Sequence, residues 1–369
     1  MRAHLFEQEL PPAAPAGLDW DKFHQAVSQE QLSGVLAKLS QSHPGWLPQE
    51  GSERLRYRRY RQLLYHADWG AVQAGAVLAA LVERDIPPIV LKGWALVALV
   101  YANDFSQRQA VDLDLLVRPA DAGRAKQALQ ALGYTATEME PWPGHFQRFL
   151  NSAHYKRVQG AGEKFRIFHV DLHWGFPDAP YYDRRISIEA LFERSLAIQV
   201  AGVGVRSLAV EDILIYGSVH IAHHGYQATL SRYYDLAALL RQTGSRFDWP
   251  GMLARASAWR VALPLRRVLA EVEQIWPGVT PAELLPAAQR LRIGWRERLT
   301  DWGLRKVRNK EAASILLAVW NTPGMGWRLR FFLETAFPSL EYLRHYFGTA
   351  AGESWLRLHV RRLARFLGR

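Results

Sequence analysis

The run VDLDLLV at 111–117 carries two carboxylates at alternate positions, Asp112 and Asp114. On a strand, that period places both on one face and Val111, Leu113 and Leu115 on the other. Side by side and unpaired they would repel, and one would take up a proton. The pair is therefore stable either beneath a cation or at a strand end open to water. A divalent metal is the occupant that would give it a chemical task. Further along, FHVDLHW at 168–174 alternates so that His169, Asp171 and His173 share a face opposite Val170, Leu172 and Trp174. Asp171 on a neighbouring strand, facing the same way, would complete a cluster of carboxylates. Asp178 and Asp183 are rival third acids, set in a proline-containing loop that does not fix them. Such a cluster suits a nucleoside triphosphate, whose charge of about −4 is tolerable beside so many carboxylates only with bridging cations.

Upstream, the apolar run IVL at 89–91 leads into Lys92-Gly93 and straight into a helical pattern. A helix that starts at a strand end points its free N–H groups and positive dipole end out of the sheet, where a phosphate can be received. Gly93 would permit close backbone approach and Lys92 would supply charge. The plainer alternative is a strand-end glycine beside a solvated lysine.

These residues need elements to hold them. Residues 19–41 and 50–84 carry apolar side chains at helical spacing, among them Phe23, Val27, Leu32, Val35, Leu36 and Leu39, with His43-Pro44-Gly45 as the break. Pro87-Pro88 ends this segment, and short β-branched runs follow at 89–91, 111–117 and 165–174. Between them the pattern predicts helices over 94–102 and 119–132, the second opened by Pro119 and closed by Gly133. A hairpin is predicted over 153–174, turning at Gly160-Ala161-Gly162, and a further strand pair over 196–207 around Gly202 and Gly204. From Val210 the helical period returns and persists. The expectation is an α+β chain in three parts: a helical segment at 1–85, an α/β core at 86–207 and an all-helical domain at 208–369.

Composition narrows the class. Of 369 residues, 49% are hydrophobic and 22% charged, the balance of a globular protein. The absence of cysteine excludes disulfides, thiolate zinc sites and cysteine nucleophiles. The opening MRAHLFEQELPPAAPAGLDW lacks the apolar stretch of a signal peptide. The longest apolar neighbourhood, IPPIVLKGWALVALVYA, is interrupted by Lys92 and Gly93 and falls short of the roughly 20 residues needed to span a bilayer. A cytoplasmic location is expected.

The run LKGWALVALVYANDFSQRQAVDLDLLVRPADAGRAKQALQALGY, followed by HVDLHW and then by LAVEDILIYGSVHIAHHG and RYYDLAALL, resembles the uncharacterised bacterial nucleotidyltransferase family of the DNA polymerase β-like superfamily. The likeness covers roughly residues 60 to 275, with several motifs in the right order. A more distant likeness is to toxin-type nucleotidyltransferases of the abortive-infection class. The resemblance implies a mixed sheet flanked by helices, and an enzyme that moves a nucleoside monophosphate from an NTP to a hydroxyl and releases pyrophosphate. By it, Asp112 and Asp114 match the pair that binds two Mg²⁺ ions, with Mn²⁺ able to substitute. Asp171 matches the third acid, which holds the catalytic metal and lowers the pKa of the attacking hydroxyl. Lys92 and Gly93 stand where most of the superfamily has a Gly-Ser turn for the β- and γ-phosphates, so the serine hydroxyl contact is absent. Arg108, four residues before Asp112, matches an arginine that reaches the phosphates; a surface salt bridge is its alternative.

Other patterns compete for function. His220 and His224 lie one helical turn apart, a spacing that suits two zinc ligands, with Asp235 the only simple acidic companion; the resemblance makes this a packing helix of the C-terminal half. Net charge is +11, and residues 290–369 hold 16 Lys+Arg against 6 Asp+Glu. The last helix places Leu356, Val360, Leu363 and Leu367 on one stripe, with Arg357, Arg361, Arg362, Arg365 and Arg369 largely opposite. It could lie on an anionic membrane or along RNA, but the expectation is that the stripe docks on its own domain and leaves the arginines in water. The expected partners are an NTP and a small-molecule, peptide or sugar acceptor. A toxin-like activity on tRNA and a non-catalytic binding module using the same cleft are the alternatives.

Overall fold

The computed structural model describes residues 17–65, 69–160, 166–176, 185–243, 247–306, 310–322, 324–348 and 353–366. The chain opens with helices α1 (Trp20–Gln29), α2 (Ser33–Ser42), α3 (Gln49–Tyr65) and α4 (Ala71–Val82). The stretch 19–41, which carries one helical period, forms two helices. The chain turns at Gln31, whose φ is +56°, and the break is held from outside: Glu30 accepts from the backbone N–H of Leu230 through its carboxylate (2.5 Å) and of Ser231 through its carbonyl (3.2 Å). A local period cannot register a contact made 200 residues away. The stretch 50–84 is likewise two helices.

The sheet is built from β1 (Ile89–Val90), β2 (Asp112–Leu116), β3 (Thr135–Ala136), β4 (Ser152–Gln159), β5 (Arg166–His173), β6 (Leu196–Val200) and β7 (Val203–Ser207). Helix α5 (Lys92–Val100) follows β1, α6 (Ala122–Ala131) follows β2 after a 3₁₀ turn, and α7 (Ile188–Arg194) precedes β6. The strand order is β3-β4-β5-β2-β1-β7-β6. β2 runs parallel to β5 and β1 to β7, while the other pairs are antiparallel. The two predicted hairpins are present as β4–β5 and β6–β7; Ala161 and Gly162, in the first turn, lie outside the described residues. β3 and a π-helical turn at Phe146–Leu150 had no signal in the sequence.

Alternation along the strands separates two cores. Leu113, Leu115, Val170 and Leu172 pack with Val77, Leu78 and Leu81 of α4 and Ala125 and Leu129 of α6. On the opposite face, Ile89 and Leu116 join the core of a helical half made by α8 (Val210–His223), α9 (Leu230–Thr243), α10 (Trp249–Ala258), α11 (Ala262–Ile275) and α12 (Leu284–Gln289). Asp112 and Asp114 share that face with Leu116, so the helical half forms the other wall of whatever cleft the acids line.

Helices α13 (Trp295–Lys306), α14 (Lys310–Asn321), α15 (Met325–Ala336), α16 (Leu340–Phe347) and α17 (Trp355–Phe366) complete the chain. Here one expectation is corrected. The stripe of α17 does not dock: Leu356, Val360 and Leu363 are 66%, 59% and 46% exposed, and the helix rests instead on Leu358 and His359. His359 stacks on Phe337 and Trp355, so aromatic packing to α15 sets the rotation of the helix. Leu367 and Arg369 lie outside the described residues. Among the described residues no helix is long and apolar enough to cross a membrane.

The N-terminal helices also position the loop that leads into β2. Gly34 of α2 lies so close to that loop that an added Cβ would overlap the carbonyl oxygens of Ser106 and Gln107. Gly34→Ala is expected to cost about 1–3 kcal/mol, the usual range for overpacking against atoms that cannot yield. Gly123→Ala in α6, where a Cβ meets nothing within 4 Å, should be neutral or slightly stabilising. Urea denaturation of the two variants checks the contrast, and equal stabilities would remove the packing role.

Candidate active site

Strand β2 delivers Asp112 and Asp114, and its parallel neighbour β5 delivers Asp171. The register sets Asp114 opposite Asp171, so that the two carboxylates face the same side. One carboxylate oxygen from each of Asp112, Asp114 and Asp171 lies within 4.8 Å of the others, and among the described residues this is the one acid–histidine group with metal-binding spacing. Asp112 is exposed at the rim, Asp171 is partly covered and Asp114 is buried. The set offers hard oxygen donors, the chemistry that Mg²⁺ or Mn²⁺ prefers, so the residues fit a divalent ion. Asp178 and Asp183, the rival third acids, lie outside the described residues.

The three acids sit in different surroundings. Although Asp112 opens to solvent at the rim, the protein crowding around its carboxylate strips part of its hydration and, helped by the neighbouring charges of Asp114 and Asp171, raises its pKa, with Lys92 pulling the other way. Burial also acts to raise Asp171, but it is outweighed by the hydrogen bond from His154 and by the charges of His154, His173 and Lys92, which together lower its pKa. His154 was not singled out from the sequence. It stands on β4 directly opposite Asp171, and its Nδ1 lies 2.8 Å from Asp171 Oδ1. Only the hairpin register reveals that pairing. His173, expected on the acid face, is there: its Nε2 is 3.6 Å from Asp114 Oδ1.

Lys92 is the first residue of α5 and has φ of +49°, a left-handed conformation that a lysine adopts only when its surroundings require it. The predicted helix thus begins two residues earlier than its apolar pattern. The ammonium lies 2.7 Å from Asp114 Oδ1, so Lys92 is not the solvated lysine of the plainer reading. The antiparallel pairing of β1 with β2, Val90 opposite Leu115, brings it there. Gly93 packs tightly: a Cβ at this position would stand 3.0 Å from the Cβ of Ala110, which would have to give by a few tenths of an ångström.

Arg108 makes neither a surface salt bridge nor an open contact. Its Nε donates to Asp235 Oδ2 at 2.9 Å, and Tyr101 Oη donates to Asp235 Oδ1 at 2.6 Å. Burial first, and then Asp235, push the Tyr101 hydroxyl well above its usual pKa and keep it a donor. Asp235, considered beside His220 and His224 as a metal ligand, thus anchors the 101–111 loop to α9. His220 is 2.5 Å from Arg232 Nη1, and its ring packs 4.8 Å from that of His224.

A cavity of about 450 Å³ joins these groups. Lys92, Gly93, Arg108 and Asp112 line one side, and His220, His224, Arg232 and Asp235 the other. A family model for an uncharacterised nucleotidyltransferase matches residues 16–277. The chain belongs to that family. The match spans more than half of the sequence, including the sheet, all three acids and helices α8 to α11. As a family member the protein is an enzyme of the nucleotidyltransferase class. No curated protein matches it.

Among solved structures, ANT(2'')-Ia in complex with adenylyl-2''-tobramycin is 16% identical, with a TM-score of 0.34, covering 52% of this chain and 97% of that one. An antigenic nucleotidyltransferase-like protein from Paracoccidioides brasiliensis is 13% identical, with a TM-score of 0.32 and coverages of 60% and 91%. JHP933 from Helicobacter pylori is 14% identical, with a TM-score of 0.31 and coverages of 67% and 97%.

Proposed function

We propose that this nucleotidyltransferase moves a nucleoside monophosphate from an NTP to an acceptor hydroxyl in the cleft between the acid face of the sheet and α8–α9. The observation that carries the reading is the triad Asp112, Asp114 and Asp171, convergent within 4.8 Å, with Asp112 lining a cavity of about 450 Å³. Asp112, Asp114 and Asp171 would hold divalent metal, Mg²⁺ or Mn²⁺, whose charge when bound offsets that of the triphosphate. Lys92, Gly93 and the start of α5 meet the β- and γ-phosphates, where backbone N–H groups and the helix dipole favour anions. Arg108, its charge balanced by Asp235, lines the same wall. The acceptor oxygen bonds to the α-phosphorus, the bond from that phosphorus to the bridging oxygen breaks, and pyrophosphate leaves. Asp171, kept ionised by His154, takes the hydrogen bond along which the hydroxyl gives up its proton.

The acceptor is proposed to be a small hydroxyl compound, sugar or peptide rather than tRNA. In support, the cavity is lined by residues between Gln31 and Leu236, and among the described residues none of the basic side chains from 290 onward lines it. The test is calorimetry with each common NTP, with and without Mg²⁺ or Mn²⁺, followed by pyrophosphate release with a host-cell extract as acceptor source. Divalent-dependent binding of at least one NTP, and a labelled small product, are expected. Failure of every NTP to bind would overturn the reading. Binding without transfer to any acceptor would replace it with the binding-module alternative, and a labelled tRNA would replace the small acceptor.

A further inference from the structure

The C-terminal helices present an outward surface that neither the cleft nor the core uses. Of the 24 large hydrophobic side chains exposed among the described residues, 16 fall between Trp295 and Leu363, so the apolar exposure is concentrated in one region. On α17 it is the stripe Leu356, Val360 and Leu363, which a helix of a monomeric protein ordinarily buries. On α15 it is Met325, Leu329, Phe332 and Leu333.

Arginines occupy the other faces of these helices, largely opposite the apolar stripe on α17, as in an amphipathic helix. Arg361 and Arg365 lie over the Phe347 ring at 4.7 and 5.2 Å, Arg330 lies over Trp327 at 5.7 Å, and Arg296 lies between Trp295 and Trp320. The 16 Lys+Arg against 6 Asp+Glu over residues 290–369 make the region strongly cationic. Protein–protein interfaces enrich tryptophan and arginine as well, but they do not gather a net charge of this size, their cores being depleted of charged residues. Leucine, tryptophan and arginine mixed along short amphipathic helices suit a bilayer boundary instead: the apolar groups enter the acyl edge, tryptophan sits at headgroup level and arginine reaches phosphate. With no spanning helix among the described residues, such contact is peripheral.

We propose that the outward stripe of α17, Leu356, Val360 and Leu363, docks the protein on an anionic lipid bilayer. The inference does not depend on the transfer chemistry, because none of these side chains lines the cleft.

Co-sedimentation of the full chain with vesicles tests it. Binding is expected to vesicles mixing phosphatidylcholine with phosphatidylglycerol, to weaken as salt is raised and to be absent on phosphatidylcholine alone. The triple variant Leu356→Ser, Val360→Ser, Leu363→Ser should lose about tenfold or more in vesicle affinity, since three exposed side chains no longer enter the bilayer. Its urea midpoint and NTP affinity should stay unchanged. Arg357→Gln with Arg365→Gln should weaken binding to anionic vesicles and flatten its salt dependence. No binding to anionic vesicles, equal binding to both vesicle types, or full affinity in the folded triple variant would overturn the proposal. So would a wild-type dimer, measured by light scattering, that the triple variant converts to monomer, because a second copy would then cover the face.

Discussion

Asp114→Asn is expected to reduce nucleotidyl transfer by about a thousandfold or more while leaving the protein folded. The carboxylate is buried at the base of the triad, 2.7 Å from Lys92 and opposite Asp171, so its charge is central to any cation held there. Losing a few kcal/mol of charge stabilisation at the reacting phosphate is worth that factor, at about 1.4 kcal/mol per tenfold. Stability should change little, because the substitution also relieves repulsion among three acids, and Lys92, whose side chain is 21% exposed, can turn to water. The readout independent of turnover is thermal: Mn²⁺ alone should raise the melting temperature of the wild type and leave Asp112→Asn and Asp114→Asn unmoved. If both variants kept wild-type affinity for Mn²⁺ and for Mg-NTP, the triad would not be the metal site.

Asp235→Ala should cost about 3–5 kcal/mol of stability. Asp235 accepts from Arg108 and Tyr101, and its removal leaves the Arg108 guanidinium, 12% exposed, without its carboxylate. The penalty is that of a stranded buried charge and not the net worth of the pair, so Arg108→Leu combined with Asp235→Leu should recover more than half of it. The same loop runs into β2, and so NTP affinity should fall together with stability in Asp235→Ala. Urea denaturation of the wild type and the two variants decides the matter. An Asp235→Ala protein within about 1 kcal/mol of wild type would mean that Arg108 finds water or another acid.

The comparison of these two sites shows how far the residue pattern reaches. Asp112, Asp114 and Asp171 were legible in advance because the β period of two is local: it assigns a face to each acid before the partner strand is known. The glycine at 93 and the start of a helix there were legible for the same reason. The partners of those residues were not. His154 meets Asp171 through a hairpin register, Lys92 meets Asp114 through the pairing of β1 with β2, and Arg108 meets Asp235 across 127 positions of sequence.

By itself, then, the sequence determined the α+β order of elements, the face on which the carboxylates stand and the family to which the motifs point. The first two follow from short-range periodicity and from residues a few positions apart, and the third from a resemblance carried by several motifs in order. Tertiary structure alone decided which charges neutralise one another, where α1 breaks, and that α17 turns Leu356, Val360 and Leu363 outward. Each of those outcomes depends on a contact between elements distant in sequence. An amphipathic pattern states that a helix has an apolar face, but the neighbour that packs against it fixes the rotation, and for α17 that neighbour is the Phe337 ring stacked on His359.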